Sequence, residues 1–183
     1  MALKSTIFKA DLQVADLDRG HFADYALTIA RHPSETDERM MVRLLAFALN
    51  ASPSLAFGRG LSTEDEADLL DVDPTGAIDN WIDVGLPDEK AIRRAANRAR
   101  RMVVLSYGGR GAEIWWQQTG GKVAGLRTLS VLALDPAASQ ALAGLAERTM
   151  RLQCTIQDGT VWLGGAAGDL EITPCVLQAA VLS

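Results

Sequence analysis

The chain has 183 residues, 48% hydrophobic and 22% charged, with a formal net charge of −5. That balance is ordinary for a globular protein and excludes collagen-like and disordered classes, and no stretch approaches the roughly 18 uninterrupted apolar residues of a membrane-spanning helix. The acidic balance argues against a generic nucleic-acid coat while leaving room for a local basic face; one domain over 1–183, in the cytoplasm and without a membrane partner, is the expectation.

Between residues 5 and 17, Phe8, Ala10, Leu12 and Val14 alternate with Lys9, Asp11 and Gln13, the period of a half-buried strand. Turn residues fill 16–21 and Tyr25, Leu27 and Ile29 alternate again, which predicts an antiparallel hairpin. Ser34 and Asp37 resemble a capping box behind Pro33, with Asp in place of Glu or Gln. Met40, Met41, Leu44, Leu45, Ala48 and Leu49 then recur at helical spacing. Glu38 stands at the edge of that buried face, and Glu35, Arg39 and Arg43, at four-residue steps, predict a solvated ion-pair ladder. A short strand is expected within 54–61.

Charge then separates along the chain. Residues 64–73 hold six acidic residues and no Lys or Arg, whereas 88–101 hold six basic residues against two acidic ones. In the basic segment Ile92, Ala95, Ala96, Ala99 and Met102 form an apolar helical stripe, with Pro87 suited to the first turn. Strands at 78–84 and 102–107 flank this helix, so a right-handed crossover joins two parallel strands. A short helix at 112–118, a strand at 126–134 and a helix at 136–148 follow. The pair Asp158-Gly159 then turns a type I′ hairpin, and a last strand spans 170–173. Cys154 and Cys175 lack zinc-ligand spacing and read as reduced, buried thiols.

Metal-assisted phosphodiester hydrolysis needs carboxylates that hold a hard divalent cation through oxygen. Asp83 lies between Ile82 and Val84 in an apolar strand, where a charge needs a metal or an ion-pair partner. Asp68 is either a second ligand or part of a solvated acidic loop. Glu38 is a third ligand or a surface partner of Arg31 or Arg43. Asp79, four residues before Asp83, shares its strand face as a supporting acid. Lys90, Arg94, Arg98 and Arg101 form a basic helix face that suits a phosphate backbone or pairs with the acidic stretch. Tyr107, Arg110, Trp115 and Trp116 are candidates for base stacking, against a core role for the tryptophans. His32 reads as structural.

The stretches HPSETDER from His32, WIDVGLPDEK from Trp81 and TMRLQCTIQDG from Thr149 resemble the bacterial YaeQ family, and the likeness runs nearly end to end. The resemblance implies a variant of the PD-(D/E)xK nuclease fold: an α/β domain with a mixed central sheet, flanking helices and added β-hairpins. Carried over by position, Asp68 stands for the first acid, with Ala67 in place of the motif's proline, and Asp83 for the second. Gly85 replaces the motif lysine, and Lys90 is its candidate substitute, because helical side chains lean toward the N-terminus. The implied site has Glu38, Asp68 and Asp83 as Mg²⁺ ligands and Asp68, Asp83 and Lys90 as catalytic groups. Nucleic acid is the implied partner, contacted by Arg94, Arg98 and Arg101. Two functions remain open: a Mg²⁺-dependent phosphodiester hydrolase, and a non-catalytic nucleic-acid-binding or regulatory protein that keeps the fold.

Overall fold

The computed structural model describes residues 4–58 and 65–181. The chain runs β1 (Thr6–Asp16), β2 (His21–Arg31), α1 (Asp37–Leu49), β3 (Leu55–Phe57), β4 (Leu69–Val72), β5 (Ile78–Val84), α2 (Glu89–Arg98) and β6 (Ala99–Ser106). It continues through α3 (Arg110–Val123), β7 (Leu129–Ala133), α4 (Pro136–Ala143), β8 (Thr149–Gln157), β9 (Thr160–Gly165), β10 (Gly168–Ile172) and β11 (Cys175–Gln178). These strands form two mixed sheets, β10-β9-β8-β1-β2 and β11-β7-β6-β5-β4-β3.

The first sheet follows the predicted alternation. Phe8, Ala10, Leu12 and Val14 of β1 are buried, as are Met150, Leu152, Cys154 and Ile156 of β8, while the intervening side chains face water. The β1–β2 hairpin is paired in continuous register from Thr6↔Arg31 to Asp16↔His21, and β8 runs parallel to β1. Asp158 (φ 54°) and Gly159 (φ 74°) hold the predicted turn between β8 and β9.

In the second sheet β5, β6 and β7 are parallel, joined by α2 and α3 as crossovers, and the remaining pairs are antiparallel. Its two faces bury different cores. Ile82, Val84, Val103 and Leu105 join α1 and the first sheet in one cluster, whereas Trp81, Met102 and Val104 pack with Ile92 and Ala95 of α2 and Trp115 and Val123 of α3. Helix α1 thus lies between the two sheets, with every residue from Met40 to Ala48 buried, Arg43 included. The expected solvated ladder of Glu35, Arg39 and Arg43 is therefore overturned: Glu35 and Arg43 are buried and Arg39 is half-buried.

Several boundaries shift for local reasons. The cap of α1 is Thr36, whose Oγ accepts from the Arg39 amide at 3.1 Å, and Ser34 instead meets the His32 ring at 2.6 Å. Strand β6 starts at Ala99, directly after α2, so Arg101 stands on a strand and not on the helix face where it was expected. Helix α4 stops at Ala143, before Gly144, short of the predicted 148, and α3 outruns its predicted length. Strands β4 and β11 were not anticipated. β4 carries a buried Asp71, whose carboxylate accepts from the hydroxyls of Ser52 and Ser54 at 2.7 and 2.6 Å. The strand expected within 54–61 is β3; residues 59–61 lie outside the described residues, as does Glu64. Cys154 is buried as expected, its thiol pushed up to about 12 by burial first and Asp16 second, but Cys175 is exposed.

Candidate acid site at the end of β5

Register creates the site. Leu69 pairs with Ile82, so Asp68, one residue before β4, falls beside Asp83 near the end of β5. Backbone and side chains then interlock: the Asp68 amide donates to Asp83 Oδ1 at 3.3 Å, and the Val84 amide donates to Asp68 Oδ2 at 2.8 Å. The indole Nε1 of Trp81 also donates to Asp83 Oδ1, at 3.1 Å, since residues two apart on a strand share a face. On its ring face the same indole carries the Arg98 guanidinium, 5.1 Å from its centroid.

The charge on Asp68 is met from α1. Arg39 donates through Nη2 to Asp68 Oδ1 at 2.7 Å and through Nη1 to Glu35 Oε2 at 2.6 Å. Glu35 is gripped again by Arg43, with Nη2 to Oε1 at 2.6 Å and Nε to Oε2 at 3.0 Å, and Arg43 Nη2 also donates to the Ala30 carbonyl at 2.9 Å. A continuous chain of charge-assisted bonds therefore runs from β2 through Arg43, Glu35 and Arg39 to Asp68 and the Val84 amide. Burial works against the charge on Arg39, but Asp68 and Glu35 outweigh it and raise its pKa. Asp83 has no such cation. Burial first, and the neighbouring Asp68 second, push its carboxyl up to about 7, against the pull of its two N–H donors and of Arg39.

The other proposed residues are dispersed around this pair. Glu38, half-buried in the first turn of α1, accepts from Ser139 Oγ of α4 at 3.1 Å. It lies close enough to Tyr107, at the end of β6, to raise the phenol's pKa alongside burial, which is the larger cause. Among the described residues, no group of three or more His, Cys, Asp and Glu side chains is arranged to hold a metal ion. Lys90 is exposed in the first turn of α2, behind the Asp88 cap. Gly85 has φ of 98°, a conformation that favours glycine, and its amide donates to the Leu105 carbonyl at 3.0 Å. Position 85 is thus a turn that disfavours the lysine of the motif.

On the basic face, Arg94 pairs with Asp65 at 2.9 Å and Arg98 stacks on Trp81. Arg101 faces away from α2: adjacent Met102 packs with α2, so Arg101 points to the α1 side of the sheet. Asp79 pairs with Arg100, which also bonds Asp73. Trp115 is a core residue that donates to the Pro87 carbonyl at 2.6 Å, and Trp116 is half-buried. The residues that sequence reasoning missed are Glu35 and Arg39. Their signal was Arg43, a lone charge inside the apolar run from Met40 to Ala48, which marks a buried ion pair.

Comparison with known proteins places this geometry in a family. The chain matches the family described as YaeQ protein over residues 1–174. It is 52% identical over 172 residues to the Uncharacterized protein YaeQ of Salmonella typhi, covering 94% of this chain and 95% of that one. The Escherichia coli (strain K12) protein of the same description is 48% identical over 172 residues, with the same coverage. The crystal structure of YaeQ protein from Xanthomonas axonopodis pv. citri superposes with a TM-score of 0.93 at 50% identity, over 96% of this chain and 99% of that chain. That from Pseudomonas syringae gives 0.91 at 35% identity, over 96% and 97%. With the family matched nearly end to end and relatives about half identical, the chain belongs to the YaeQ family.

Proposed function

We propose that this chain is a non-catalytic nucleic-acid-binding protein on a core of the PD-(D/E)xK type, the first acid of its pair, Asp68, neutralised from within by Arg39. One observation carries the reading: Arg39 bonds Asp68 at 2.7 Å and Glu35 at 2.6 Å, so an internal cation stands at the first acid. The residues present do not fit Mg²⁺ as arranged. That ion asks for near-octahedral oxygen ligands at about 2.0–2.1 Å. Here both Asp68 oxygens accept N–H donors, Asp83 Oδ1 accepts two, and Glu38 is held by α4.

Binding falls to the exposed side of α2, where Lys90 and Arg98 are open to solvent beside Arg94; Arg101 belongs to the other side of the sheet. Fluorescence anisotropy with short DNA and RNA strands tests it. The expected result is salt-sensitive binding that Lys90→Glu with Arg98→Glu weakens by about tenfold or more, without cleavage in Mg²⁺. Absence of binding, or binding that the double variant leaves unchanged, would sink the reading.

The hydrolase reading is favoured by one observation of its own, the carboxyl of Asp83 held up at about 7 beside Asp68. Crowded acids of this kind are common at reactive sites. Mg²⁺-dependent cleavage that disappears in Asp83→Ala would establish it in place of the first.

A further inference from the structure

Strand β2 ends the five-stranded sheet, and among the described residues no strand pairs with its outer edge. It is 11 residues long and pairs with β1 at every position without a bulge. Exposed edges of this length are normally blunted by lysine, proline, bulges or short strands. None of these is present: its sequence is HFADYALTIAR. Near its end, the carbonyl of Ala30 is already taken by Arg43, which leaves the stretch from Phe22 to Thr28 open and centred on Tyr25. Along that stretch Phe22, Asp24, Ala26 and Thr28 are exposed on the outer face, Phe22 at 66%.

We propose that β2 is an interaction edge for a second copy of this chain, joining two five-stranded sheets into one across a two-fold axis at Tyr25. Antiparallel pairing about that axis sets Phe22 of one copy against Thr28 of the other, and Asp24 against Ala26. Phe22 gains a β-branched neighbour, and the only acid on the strand meets an alanine, so no like charges face each other. A pairing about Asp24 would oppose two carboxylates, which fixes the register by charge. The contact is isologous and closes as a dimer, so the edges cannot propagate into a filament. Main-chain hydrogen bonds supply the attraction, as in strand addition generally.

Sedimentation velocity over a concentration series tests this on the whole chain, with amide hydrogen exchange to locate the contact. The expected result is a concentration-dependent dimer whose formation slows exchange within residues 22–28. Ala26→Glu sets a second carboxylate against Asp24 of the other copy, and, separately, Thr28→Lys places a charge against Phe22; neither touches the core, and each should raise the dimer dissociation constant by about tenfold or more. Circular dichroism and the melting temperature report whether each variant keeps its fold. A monomer at every concentration up to the millimolar range overturns the proposal. So does a dimer that the folded variants leave unchanged, or one that protects amides elsewhere.

Discussion

Asp83 is the residue whose environment has the clearest thermodynamic consequence. Its folded pKa, about 7, lies above the ordinary value of 3.8 because burial and Asp68 both disfavour its ionised form. The stability it contributes is therefore fully present below pH 4, is lost as pH rises toward 7, and is absent above that. Asp83→Asn keeps an oxygen for the Trp81 and Asp68 donors and removes the titration. Urea unfolding should show the variant more stable than the parent by on the order of 3 kcal/mol at pH 8, with little difference at pH 4. Equal differences at both values would disprove this assignment. Arg43 makes a separate case. Arg43→Leu strands part of the buried Glu35 carboxylate and should cost about 3–5 kcal/mol, whereas Glu35→Leu with Arg43→Leu should recover part of that loss. Chemical denaturation of both variants checks the difference. Neither consequence could be read from spacing alone: Asp83 was legible as a charge in an apolar strand, but its protonation depends on the depth of its burial and then on Asp68, which is 15 positions away and arrives only through the β4–β5 register.

Elements with strict periodicity were legible, and those decided by tertiary contacts were not. The β1–β2 hairpin, the Asp158-Gly159 turn and the β5–α2–β6 crossover follow from alternation, turn chemistry and a helical stripe. Strand β4 was hidden because Leu69 and Leu70 sit in an acidic stretch whose charges suggest a solvated loop, while the buried Asp71 is satisfied by Ser52 and Ser54 far up the chain. The end of α2 was misplaced because Ala99 and Met102 continue the helical spacing by coincidence after the chain has entered β6. Helix α1 was found, but not its setting between two sheets, so its charged residues were assigned to water. Its cap offers a direct check. Thr36→Ala should lower stability by about 1 kcal/mol, while Ser34→Ala, outside the cap, should change it by a few tenths at most. The reverse ranking in thermal melts would favour the capping box at Ser34.

At the scale of the whole molecule, the two sheets and the helix between them bring an acid pair on one sheet against a helix whose cations are already committed. The acids alone were readable in the sequence. The neutralisation of Asp68 was not, because it needs α1 to be packed against β4 and β5, which only the complete fold provides. The family likeness supplied the positions of the acids and could not supply Arg39's partner. That is also why net charge misleads: the basic and acidic segments partly cancel through Arg94–Asp65 and Arg100 with Asp73 and Asp79, which narrows the free basic face to part of α2. The central claim is that Arg39 takes the place of a metal at Asp68. Mn²⁺ titration followed by electron paramagnetic resonance at pH 8, where Asp83 is ionised, tests it most directly, with Arg39→Gln and the double variant Arg39→Gln, Asp68→Asn beside the parent. The account predicts no specific binding by the parent at millimolar Mn²⁺, binding by Arg39→Gln, and loss of that binding in the double variant; tight binding by the parent that Asp68→Asn abolishes would contradict it.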